Sequence, residues 1–158
     1  MIDQRRTGRY ERIYAQLKDL IEDKSPSLVA AMATICAVLH HKMSHHFWTG
    51  FYFVSELSGE IELYIGPYQG PVACQVLRER GVCLHCVRTK EPVVVPDVEQ
   101  FPGHVACDAR SKSEIVLPVK RGDEVIAVLD VDSDKLAQFD DDDIAPLAEI
   151  LSLLKPYL

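Results

Sequence analysis

The sequence predicts an α+β fold in one domain, a mixed and mainly antiparallel β-sheet flanked by N-terminal and C-terminal helices. Helical periodicity occupies both ends of the chain, and strand patterns rich in aromatic and β-branched residues occupy its middle. The turns between those strands are short, and tight hairpins demand antiparallel pairing, which argues against a doubly wound parallel sheet. At 158 residues the chain has the length of one domain, taken as 1–158, with no repeat and no linker.

Thr7 to Glu22 carry Tyr10, Ile13, Leu17, Leu20 and Ile21 at helical spacing. Ser25 and Pro26 suit the cap and first turn of a second helix through Leu28, Met32, Ile35 and Leu39. His40, His41 and Lys42 suit its C-terminus, so the N-terminal helices span about 7–42. Phe47–Val54 reads as a strand, SELSGE as a turn, and Ile61–Ile65 as the return strand. GPYQGPVAC reads as an irregular loop leading to Cys74. Gly81–Thr89 reads as a short helix, and VVVPDV as a strand stopped by Pro96.

Pro96–Ser113 is a long connection without apolar period. Phe101, His104, Val105 and Cys107 are unlike a disordered tail, so a functional loop is expected. Glu114–Val119 and Glu124–Asp132 are strands joined by KRGD. The run FDDDD then opens a last helix with Ile144, Leu147, Ile150, Leu151 and Leu154 on one face.

Charge narrows the function classes. Lys+Arg number 17 against 24 Asp+Glu, a net charge of -7, which argues against a nucleic-acid partner. No apolar run approaches the roughly 20 residues of a membrane span. MIDQRRTGRYER has no apolar segment behind its basic residues, so it does not read as a secretory signal, and a cytoplasmic location is expected.

The five cysteines are an odd number in a chain large enough to fold without staples. Cys36, inside MATICAVL, reads as a small buried residue. Cys74, Cys83 and Cys107 are delivered by irregular segments. One thiol of such a set can attack an electrophile while another resolves the product as a disulfide, if their Cα atoms approach within roughly 7 Å.

Cys83 and Cys86 form a C-x-x-C. This suits a redox dithiol at a helix start, where the dipole lowers a thiol pKa. It equally suits half of a zinc site completed by Cys74 and Cys107, or by His85 and His104, or a plain core position for Cys86.

Glu114 follows the long loop, and Asp130 and Asp132 share one face of the last strand. Carboxylates converging in so apolar a context can hold an ammonium group or, with a raised pKa, donate a proton. HHKMSHH reads as a solvated histidine cluster at a helix end.

WTGFYF, LYIGPYQGPVAC, RGVC, VVVPDVEQFPGHVACDARSKSEIVLPV and VIAVLDVDS together resemble the free methionine-(R)-sulfoxide reductases, which are single GAF domains. The resemblance runs from Trp48 to the final helix and implies reduction of free L-methionine-(R)-sulfoxide. Cys107, in HVACDA, corresponds to the nucleophile that takes the oxygen as a sulfenic acid. Cys74 or Cys83 would then close a disulfide, to be reopened by thioredoxin with electrons from NADPH. Glu114, Asp130 and Asp132 match acids that bind the substrate and protonate its oxygen, and Trp48 and Tyr52 match its aromatic wall.

On this basis the catalytic loops lie at about 66–86 and 96–113, and no bound cofactor or metal is expected. A homodimer through the helices stays open. Leu84, His85 and the extra Cys86 depart from the glycine that usually follows RGVC, which makes Cys86 a further candidate for recycling. Two other readings remain: a non-catalytic GAF module that binds a small molecule, and a cysteine-rich structural zinc protein.

Overall fold

A computed structural model describes residues 4–56, 59–104 and 107–158. The elements follow in the order α1 (Gln4–Ile21), α2 (Leu28–Lys42), β1 (Trp48–Ser55), β2 (Glu62–Gln69), β3 (Val76–Arg78), α3 (Val82–Thr89), β4 (Val93–Val95), β5 (Ser113–Arg121), β6 (Glu124–Ser133) and α4 (Ile144–Ser152). The six strands form one sheet in the order β3-β2-β1-β6-β5-β4, and every pairing among them is antiparallel. No described helix is long and apolar enough to cross a membrane.

Strand alternation gives the sheet two working faces. Phe51, Ile115, Leu117, Ala127, Leu129 and Val131 point to one side and pack with α1, α2 and α4 in the main core. Trp48, Tyr52, Val116 and Val128 point to the other, where α3 supplies Val82, Cys83, Leu84 and Cys86. The second side has thinner cover, and the cavity lies there.

Several boundaries differ from the sequence reading. Helix α1 starts at Gln4, and α2 is capped by Ser27, not Ser25. Ser27 is extended and its Oγ accepts from Ala30 N at 3.1 Å, whereas Ser25 Oγ donates to Ser27 O.

GPYQ is not loop but the second half of β2. Between Gly50/Tyr68 and Tyr52/Ile65 the register shifts, so that Gly66 and Pro67 oppose Phe51 alone. A bulge tolerates a residue without an N–H, and so the strand continues through Pro67. The three-residue β3, too short to show alternation, had no signal in the sequence. Val105 of the long connection, and Leu57 and Ser58 of the first hairpin turn, lie outside the described residues.

The long connection is ordered at its base. Asp97 caps a 3₁₀ turn at Val98–Gln100, Val98 N donates to Lys112 O at 2.9 Å, and Lys112 N donates to Ser133 O at 2.8 Å. His46 is not solvated: it is 4% exposed, against the ring of Phe139 and 3.4 Å from Thr49 Oγ1. Burial drives its pKa well below the ordinary histidine value, and that of His45 down to about 4, with Arg6 nearby adding to both.

The acidic run caps as expected, but Asp143 has a second task. Fully buried, its carboxylate accepts from Tyr10 Oη at 2.7 Å, Arg6 at 3.0 Å and Asp140 N at 2.9 Å, tying α1 to the start of α4. Asp143→Ala strands three donors at once. It is expected to cost about 3 kcal/mol in urea unfolding, because a buried charge partner is lost.

Candidate active site

Register builds the floor of the cavity. Trp48 on β1 is opposite Asp132 on β6, which is opposite Glu114 on β5; two residues along, Gly50, Asp130 and Val116 form the next row on that face. Residues of both rows share one face, so Glu114, Asp130 and Asp132 converge there. Glu114 and Asp130 are 5% and 6% exposed, while Asp132 is half-buried at the cavity's edge.

No lysine or arginine ion pair reaches any of the three among the described residues. Burial, then the charges of Asp130 and Asp132, hold the Glu114 pKa well above the ordinary carboxyl range. Asp132 is raised well above it too, by burial and then by Asp130, with a hydrogen bond from Ser111 opposing. Burial also raises Asp130, against hydrogen bonds with Glu114 and Cys83. Burial among like charges therefore favours the protonated form of the floor's carboxyls.

The wall is aromatic. The Trp48 ring stacks with Tyr52 at 5.8 Å and with Tyr68 at 5.4 Å between centroids. Gly50 permits this, because an added Cβ would overlap the Trp48 ring and Tyr68 Cβ. Both wall residues also use their polar ends: Trp48 Nε1 donates to Pro71 O at 3.0 Å, and Tyr52 Oη to Cys74 O at 3.2 Å. The wall thus holds the backbone that presents Cys74.

Cys74 and Cys107 are joined in a disulfide, with Cα atoms 5.5 Å apart across 33 residues. Cys107 borders the cavity. Cys83 is a free thiol buried beside the carboxyls, and its pKa lies well above the ordinary thiol value, through burial and then Asp130 and Glu114. The lowering expected at a helix start is overturned, since burial among acids outweighs the dipole of the short α3.

Cys86 is fully buried, with its Sγ 3.9 Å from Val116 O, and burial pushes it up to about 12. It is a core residue. The set Cys74, Cys83, Cys86 and Cys107 is not assembled as a zinc site, because two of its thiols are spent on each other.

The sequence reading missed the mouth. Arg80 lines it, exposed and without an ion pair among the described residues, with its side chain lying along Gly103. His104 lines it too; both ring nitrogens lack partners among the described residues and burial lowers its pKa. Asp108 is neutralised by Arg110 at 2.7 Å, which also covers the Phe47 ring. RERG gave no signal beyond charge, since only tertiary pairing brings it against the 101–104 turn. The cavity of about 60 Å³ has room for roughly four to six waters, the scale of a small molecule's end rather than of a polypeptide.

The GAF domain family matches residues 26–155. The chain is 44% identical over 146 residues to GAF domain-containing protein A of Dictyostelium discoideum, covering 92% of this chain and 89% of that protein. It is 37% identical over 133 residues to the free methionine-R-sulfoxide reductase of Escherichia coli (strain K12), covering 84% of this chain and 78% of that one. The X-ray structure of the free methionine-R-sulfoxide reductase from Neisseria meningitidis, in complex with its substrate, is similar at a TM-score of 0.87 and 39% identity. That likeness covers 94% of this chain and 87% of the other.

Proposed function

The chain belongs to the GAF domain family, among the free methionine-(R)-sulfoxide reductases, and from that premise we propose that it reduces free L-methionine-(R)-sulfoxide to methionine by thiol chemistry at Cys107. The observation that carries this reading is the Cys74–Cys107 disulfide beside a cavity floored by three proton-holding carboxyls.

The Cys107 thiolate attacks the sulfoxide sulfur while a carboxyl protonates the oxygen, since an unprotonated oxide is a poor leaving group. Transfer of the oxygen oxidises the Cys107 sulfur by two electrons to a sulfenic acid, reduces the substrate sulfur by two, and releases methionine. The Cys74 thiol then displaces water to close the disulfide. A dithiol of the thioredoxin class reopens it by exchange, with NADPH as the ultimate donor and no bound cofactor. A cytoplasmic location belongs to the same proposal.

Glu114 is the proton donor in this scheme, and Asp130 and Asp132 receive the ammonium group. Trp48 and Tyr52 take the apolar methyl–sulfur end, because polarizable sulfur favours aromatic contact. Cys83 has no resolving role here, since it is buried while Cys107 is already paired with Cys74. A homodimer, which the sequence leaves open, would draw on the helical layer, where Leu20 and Val29 are exposed.

Arg80 supplies the cation for the α-carboxylate. Arg80→Ala is expected to raise KM for the free amino acid roughly tenfold with kcat nearly unchanged, the signature of lost ground-state binding. Steady-state kinetics check it.

Turnover coupled to thioredoxin and its reductase tests the whole reading with three compounds. The free (R) form should react, and the (S) epimer and N-acetyl-methionine-(R)-sulfoxide should not. Comparable rates on the N-acetyl compound would remove the ammonium-binding floor from the account.

A further inference from the structure

Cys83 Sγ and carboxylate oxygens of Glu114 and Asp130 all lie within 4.8 Å of one another. All three residues are buried. Asp130 Oδ1 is buried and has no hydrogen-bond partner among the described residues, apart from protons that Glu114 and Cys83 themselves carry. Three anion-forming groups are therefore held together at the cavity floor with no compensating cation among the described residues.

We infer that Cys83, Glu114 and Asp130 form a site for a thiophilic divalent cation of the Zn²⁺ class, which fills the cavity floor and excludes the substrate. In a tetrahedral zinc site, sulfur and oxygen ligand atoms stand about 3.3–3.7 Å from one another, so side-chain rotations of about an ångström complete the set. Three protein ligands leave one position, open to the cavity, for water.

The donor set also selects the ion. A thiolate favours Zn²⁺ over Mg²⁺ or Ca²⁺, and three ligands are too few for Ca²⁺. Binding releases protons, one from the Cys83 thiol and one from the Glu114–Asp130 pair, and the ion's two positive charges relieve the crowding that holds those protons. Neither Cys74 nor Cys107 takes part, so the site exists in the disulfide form. The ion's exclusion of substrate rests on the function proposed above; its binding does not.

The test titrates the disulfide form with Co²⁺, without reductant or substrate, and reads the near-ultraviolet thiolate-to-metal charge-transfer band. One Co²⁺ per chain is expected, with the band displaced by stoichiometric Zn²⁺ and untouched by excess Mg²⁺. Cys83→Ser should lose the band, and Glu114→Gln should keep it with at least tenfold weaker binding, which serves should the serine variant fail to fold. A missing band in the native chain overturns the inference. So does a band that survives Cys83→Ser, which would assign it to Cys36 or Cys86, or one unmoved by Zn²⁺. Metal-free turnover is measured separately, so loss of either result leaves the other standing.

Discussion

Cys107→Ser is expected to lower methionine production by at least ~10³, with no residual single-turnover yield. A serine hydroxyl has no two-electron oxidised state that could accept the sulfoxide oxygen. The neighbouring thiols do not substitute. Cys83 is buried with its proton held by the surrounding acids, and Cys86 faces the Val116 carbonyl in the core. Cys74→Ser should behave differently, forming about one methionine per chain and then stopping, because the sulfenic acid has lost its partner. Amino-acid analysis of reduced protein mixed with excess substrate separates these outcomes, and a full single-turnover yield from Cys107→Ser contradicts the assignment.

Glu114→Gln should separate activity from stability. Loss of the proton donor is expected to lower kcat by roughly 10²–10³. The wild-type rate of sulfoxide reduction should fall as pH rises through the raised Glu114 pKa, because only the protonated acid donates. In the variant that limb of the profile should vanish.

Stability should move the other way. A carboxyl whose folded pKa is raised binds its proton more tightly in the native state. Its favourable contribution is whole below the ordinary carboxyl value and is lost as pH rises through the folded value. Glutamine removes this liability, so Tm should rise relative to wild type, and more at pH 8 than at pH 5. Scanning calorimetry at the two values checks it, and equal shifts at both would mean that the floor does not store protons.

Strand parity made part of this site legible. Asp130 and Asp132, two residues apart in VIAVLDVD, had to share a face, and the irregular delivery of Cys74 and Cys107 marked them for chemistry. Both hairpins and the final helix followed from turn residues and periodicity. What stayed hidden depends on pairing between distant segments.

That Glu114 stands opposite Asp132 is a matter of β5–β6 register. That Cys74, not Cys83, lies beside Cys107 depends on where Trp48 and Tyr52 hold the 71–74 backbone. Arg80 carries no local signal, because its neighbours come from the 101–104 turn. Continuation of β2 through Gly66-Pro67 was masked by residues that usually end strands, and a bulge accommodates them. The inverted pKa of Cys83 is likewise a consequence of burial, which no local pattern carries.

The most direct test of the central claim is one turnover without a reductant. Fully reduced protein is mixed with excess free L-methionine-(R)-sulfoxide, and methionine is quantified while the disulfide is located by peptide mass mapping. The account predicts about one methionine per chain and a single new link between Cys74 and Cys107. Methionine formed with Cys83 or Cys86 in the link would contradict the thiol assignment, and a failure to form methionine at all would contradict the function.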